Sequence, residues 1–137
     1  RLATGQVWMA PGGHQLRVVR DGARYVCRIG EADRVNGFAP SVDVMFNAAV
    51  EAAGSNLAAA LLTGMGEDGA QGLLRLRQSG AYTCVQDEAT SVVWGMPGAA
   101  FRLGAAEAVL PIAQVAERLM DAARRHHGRL SQAERSR

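Results

Sequence analysis

A chain of 137 residues fits one domain, and at this length folding buries roughly two-thirds of the surface an unfolded chain exposes. With 48% hydrophobic and 20% charged residues the chain is globular rather than disordered, and a net charge of +2, from 15 basic and 13 acidic side chains, gives no electrostatic case for a nucleic-acid partner. No apolar run reaches the roughly 18 residues of a membrane span, and Cys27 and Cys84 form no Cys-x-x-Cys motif, so the sequence predicts a cytoplasmic protein with free thiols and no membrane insertion.

Along the chain, "QVWMAP" (6 to 11) reads as a short strand ended by Pro11. Because this run stands so close to Arg1, and no Met opens the chain, the reading expects further sequence upstream. "HQLRVVR" and "ARYVCRI" flank Asp21-Gly22, a hairpin dipeptide, and predict a β-hairpin over 14 to 29. The segment 30 to 40 holds two glycines, a proline and an Asn-Gly pair without apolar period, and reads as a loop. In "PSVDVMFNAAVEAAG", Val42, Met45, Phe46, Ala49, Val50 and Ala53 recur at helical spacing, with Ser41 to cap the start and Gly54 to end it.

"NLAAALLT" (56 to 63) is the continuous apolar run of a strand covered on both faces. A helix over 67 to 80, a strand at 81 to 86, a short helix near 97 to 103, a strand at "EAVLP" and a final helix from Ile112 follow. The alternation predicts a doubly wound, mostly parallel α/β sheet.

Gly64-x-Gly66-x-x-Gly69 lies between a strand and a helix, with Asp87 after the next strand, and formally satisfies a dinucleotide fingerprint. Glu67 and Asp68 oppose that reading, because they place two carboxylates where a pyrophosphate would sit. A phosphate loop of the Gly-Lys-Ser/Thr kind is excluded, since neither residue type follows Gly69. The plain reading makes Glu67 or Asp68 a cap of the helix that follows. It leaves unexplained why Met65 is flanked by glycines at the carboxyl end of a strand, where open α/β sheets build their sites.

A carboxylate at that position can bind metal, act as a base or orient a histidine. His14, His126 and His127 do not stand at ligand spacing with Asp68, so no metal site is predicted. Orientation of a histidine in a Ser-His-Asp hydrolase remains, and it requires a serine and a histidine.

The ordered series "LLTGMGEDGAQGLLRLRQSGAYTCVQDEATSVVWGMPGAA", preceded by "VWMAPGGHQLRV" and "PSVDVMF", resembles the C-terminal half of the catalytic domain of the bacterial chemotaxis protein-glutamate methylesterases/glutaminases, over about residues 5 to 120. The resemblance implies the second half of a three-layer αβα domain at residues 1–128, followed by a disordered basic polar tail at 129–137. It implies a serine hydrolase that demethylates methyl-glutamate and deamidates glutamine on the cytoplasmic helices of chemoreceptors, without a cofactor, with a receiver domain as a possible N-terminal partner in the parent chain.

The family's triad acid maps onto Asp68, and Thr63, Gly64, Met65 and Gly66 onto the active-site loop, with the Met65 N–H as a candidate oxyanion contact. Gln86, Glu88, Trp94 and Met96 fall in the segment that shapes the rim, Trp94 replacing a more usual Phe. The family's serine turn and its Gln-His-Met type segment are absent. Ser41, Ser55, Ser79 and Ser91 stand at caps, helix ends or the rim, and His14 matches a family histidine outside the triad. The chain is therefore expected to be inactive alone. A degenerate domain kept as a receptor-binding or regulator-binding module is the alternative, and a dinucleotide-binding module the remote one.

Overall fold

A computed structural model describes all residues, 1–137. Strands β1 (Leu16–Asp21) and β2 (Arg24–Ile29) form the antiparallel hairpin, in register from Leu16 opposite Ile29 to Asp21 opposite Arg24. Gly22, at φ 60°, turns the chain between them, as Asp21-Gly22 predicted. Helix α1 (Val42–Ala53) follows the 30 to 40 loop, with Ser41 Oγ accepting from Val44 N at 3.5 Å and Gly54 N donating to Val50 O at 3.0 Å.

Strand β3 (Ala58–Leu61), helix α2 (Ala70–Gln78), strand β4 (Tyr82–Gln86), helix α3 (Met96–Arg102), strand β5 (Ala108–Leu110) and helix α4 (Ile112–Arg135) complete the chain. The three strands form a parallel sheet in the order β3-β4-β5. Because side chains alternate across a strand, Ala59, Leu61 and Val85 face one side and join Phe46, Leu73, Leu76 and Ala100 from α1, α2 and α3. Cys84 and Leu110 face the other side, against Val115 of α4. The sheet is thus covered on both faces, which explains the near-continuous apolar runs of its strands.

Two expectations are corrected. Residues 6 to 10 form no strand: the segment pairs with no neighbour, and Val7 and Met9 are 95% and 89% exposed. A short apolar run supplies strand propensity but not a partner, and without one the backbone groups have no ladder to join. The 129–137 tail is helical as far as Arg135, because Arg129, Leu130, Gln132, Ala133 and Glu134 are strong helix formers and no proline interrupts them. No helix is long and apolar enough to cross a membrane.

Candidate active site

The site lies at the carboxyl ends of β3 and β4, where the loop 62–69 is fastened to the loop 87–95. Gln86, buried at the end of β4, accepts from Thr63 N at 2.8 Å and donates through Nε2 to Thr90 O at 2.7 Å. Thr63 Oγ1 donates to Val93 O and accepts from Val93 N, both at 3.0 Å. Gly64 N donates to Val93 O at 3.0 Å, and Gly64 O accepts from Gly95 N at 3.0 Å and Met96 N at 2.9 Å.

Close packing explains the glycines that local sequence left open. A Cβ at Gly64 would overlap Met96 Sδ, and one at Gly95 would lie 2.7 Å from Gly64 O and 2.9 Å from Gly66 N. Gly66, at φ 89°, turns the chain over this contact. Met65 is left at the tip, 79% exposed, and its N–H has no acceptor within the chain.

Beyond the tip, Asp68 turns inward and is 5% exposed. It does not cap α2, the helix it precedes. Its Oδ2 accepts from Val42 N at 2.6 Å, and its Oδ1 from Ser41 Oγ at 2.7 Å, Asn36 Nδ2 at 2.9 Å and, at 3.4 Å, Asp43 N. The carboxylate therefore sits on the N-terminus of α1, where free N–H groups and the helix dipole favour an anion. Asp43 returns the arrangement: its Oδ1 accepts from Gly72 N in α2 at 2.8 Å, and its Oδ2 from Asn36 Nδ2 at 2.8 Å. The two helices must approach closely for this, and a Cβ at Gly72 would lie 2.7 Å from Phe46 Cβ, one at Gly69 2.8 Å from Val42 Cγ1.

An open cleft of about 320 Å³ lies over this pair, lined by Asn36, Phe38, Asp43, Gly66, Glu67, Asp68 and Gln71. A larger cleft of about 390 Å³ lies between the hairpin, α1 and β3; it is almost wholly apolar and contains none of the carboxylates described above. The smaller cleft is the one where buried carboxylates converge.

The expected rim residues separate. Glu88 is exposed, but Gln86 is a buried clamp between loops rather than part of a rim. Trp94 is half-buried, donates from Nε1 to Gln86 O at 2.8 Å and packs on Phe101 at 5.8 Å between ring centroids. Met96 opens α3 and packs into the core. No histidine bonds to Asp68: His14 is exposed, with Nδ1 3.4 Å from Gly30 O. Ser41 caps α1, as expected, and also donates to Asp68. No three His, Cys, Asp or Glu side chains converge in a metal-ligating group.

The dinucleotide reading fails on this geometry, because Asp43 already takes an N–H of the first turn of α2, and Glu67 and Asp68 flank the same end. Sequence reasoning missed Asn36, Asp43 and Gln15. Gln15, wholly buried, donates to Asp33 O at 2.8 Å and Phe38 O at 2.9 Å and accepts from Ser41 N at 2.8 Å, fixing the loop that carries Asn36. The available signal was the Asn-Gly pair inside that loop.

The family model described as CheB methylesterase matches residues 1–119. A protein-glutamate methylesterase/protein-glutamine glutaminase 1 of Hahella chejuensis is 62% identical over 115 residues, 84% of this chain and 32% of that one. A protein-glutamate methylesterase/protein-glutamine glutaminase 2 of Pseudomonas aeruginosa is 54% identical over 129 residues, 93% of this chain and 37% of that one. The chain thus spans about a third of the length of these relatives. The crystal structure of the Thermotoga maritima CheB methylesterase catalytic domain superposes with a TM-score of 0.78 at 32% identity, over 82% of this chain and 59% of that one.

Proposed function

The chain belongs to the CheB methylesterase family, and on that premise we propose that it carries the triad acid, Asp68, of a serine hydrolase acting on methyl-glutamate and glutamine side chains of cytoplasmic chemoreceptor helices. The nucleophilic serine and the histidine belong to sequence upstream of Arg1. The serine attacks the glutamyl ester, the histidine takes its proton and passes it to the leaving methanol, and water then hydrolyses the acyl-enzyme by the same exchange. Asp68 holds the histidine in the required tautomer and stabilises the imidazolium that forms.

The observation that carries this reading is the fixation of a buried carboxylate by four donors and no cation, at the mouth of a cleft and at the carboxyl end of a strand. Oδ2 receives a single bond and keeps a second acceptor position for an imidazole N–H. Supporting the upstream location, β3 has no partner on its outer edge, the apolar cleft opens beside it, and the solved catalytic domain extends beyond the matched region. The proposal sets the whole protein in the cytoplasm, acting on receptor helices there, with a receiver domain as a candidate N-terminal partner in the parent chain.

Methanol release from methylated receptor tests the reading: the parent protein should release it and the 137-residue chain should not. Hydrolysis by the chain alone would overturn the upstream placement of the serine and histidine. A parent sequence lacking both residues would favour the non-catalytic binding module.

A further inference from the structure

Asn36 is the one side chain that hydrogen-bonds to both buried carboxylates, and its single amide nitrogen serves them both, at 2.8 Å to Asp43 Oδ2 and 2.9 Å to Asp68 Oδ1. We propose that Asn36, backed by Asp43, is a positioning residue for Asp68: it sets the plane of the carboxylate so that Oδ2 faces the incoming histidine. This rests on the reading of Asp68 as the triad acid.

A carboxylate held by one oxygen can swing about its terminal torsion, which is a broad and soft well. Asp68 is held at both ends. Val42 N fixes Oδ2 at 2.6 Å, while Asn36 and Ser41 fix Oδ1 at 2.9 and 2.7 Å. An amide nitrogen has two hydrogens, so it bridges two acceptors that would otherwise repel. The charged groups lining the cleft, Asp43, Glu67 and Asp68, are all acidic, and the chain's three salt bridges lie elsewhere.

The platform under Asn36 is built rather than incidental. Asn36 and Gly37 have φ 56° and 84°, and Val35 and Phe38 exchange N–H···O bonds of 2.9 Å, so the pair forms a tight turn of the kind that favours Asn-Gly. The buried Gln15 ties this turn to the start of α1 through Phe38 O and Ser41 N. Asn36 thus approaches Asp68 from a loop anchored at both sides, which is how a supporting residue transmits geometry to the group it supports.

The test uses the parent protein, methylated receptor as substrate, and the variants Asn36→Gly, Asn36→Asp and Asp43→Asn. Asn36→Gly keeps the positive φ and removes the amide, while Asn36→Asp keeps the size and removes the donor hydrogens. Each should lower kcat by on the order of 100-fold with KM unchanged, the cost of a misplaced catalytic group. In Asn36→Gly and Asp43→Asn, which add no charge at the site, the acid limb of the kcat profile should move to lower pH, because a histidine less well held by Asp68 is less basic. In an Asp68→Ala background Asn36→Gly should cost nothing further, whereas a purely structural role would cost the same in both.

Any of the three variants folding with wild-type kcat and pH profile overturns the proposal. If Asp68→Ala collapses turnover while Asn36→Gly does not, the triad reading stands and only the positioning role falls. If Asp68→Ala is itself silent, both fall.

Discussion

Asp43 and Asp68 cap each other's helices: Asp68, which precedes α2, binds the N-terminus of α1, and Asp43, in the first turn of α1, binds Gly72 N of α2. Each negative charge is therefore compensated by the partner helix rather than by a cation, and the capping that holds α1 against α2 also holds the carboxylate at the site. The packing of the two helices and the orientation of the buried Asp68 carboxylate share one network, so substitutions in it report on both.

Gly72→Ala tests how close the two helices must stand. Its Cβ would lie 2.7 Å from Phe46 Cβ and 2.9 Å from Asp43 Oδ1, with no flexible chain end to yield. The substitution should destabilise the intact catalytic domain by about 2 kcal/mol, the usual scale of overpacking. Gly128→Ala, where a Cβ meets nothing within 4 Å, should instead stabilise α4 by up to about 1 kcal/mol. Urea unfolding of the two variants side by side checks the contrast in sign.

Gln86 supports the site from the other loop. Gln86→Met leaves Thr63 N and Thr90 O without their 2.8 and 2.7 Å partners. Two orphaned backbone groups should cost about 2 to 4 kcal/mol if they stay dry. Gln86→Glu retains an acceptor for Thr63 N but turns a carboxylate oxygen on Thr90 O, so it should not restore stability. Thermal unfolding decides the matter, and a neutral Gln86→Met would show that the loops hold without the clamp.

Cys84 is wholly buried, and desolvation pushes its thiol from 9.0 up to about 11, against a weaker opposing pull from the Arg118 charge. Burial also pushes up the Cys27 thiol, opposed by the N-terminal amine. At pH 8 a thiol reagent should leave Cys84 unlabelled in the folded protein and modify it at once in guanidinium. The folded state holds the Cys84 proton more tightly than the unfolded one, so its contribution to stability is complete below pH 9 and is lost as pH rises through about 11. Mass spectrometry after timed alkylation reads the first outcome, and urea midpoints at pH 8 and 10.5 read the second.

Much of this molecule is legible from local pattern. The hairpin follows from Asp21-Gly22 and its flanking alternation, α1 from its helical period and caps, and the sheet from apolar runs punctuated by glycine. Local pattern marks the glycine-rich strand end with its two carboxylates, Glu67 and Asp68, as ill suited to phosphate, and only the family resemblance singles out Asp68 between them. What local pattern hides is partnership across distance. Asp43 looks like an ordinary first-turn acid, yet it is 8% exposed because Gly72, in another helix, needs an acceptor. Asn36 lies in a segment without periodicity, and Gln86 reads as a rim residue until both of its loops are in place. Residues 6 to 10 show the converse, a strand-like pattern with no neighbour to pair with.

The central claim is that Asp68 orients the histidine of a hydrolytic triad. Its most direct test is the turnover of methylated receptor by the intact protein carrying Asp68→Asn, with folding verified by circular dichroism. The expected result is a loss of about 10⁴-fold in kcat, the scale of triad-acid replacement, with substrate binding retained. Turnover equal to wild type in a folded variant would reduce Asp68 to a cap of α1 and contradict the account.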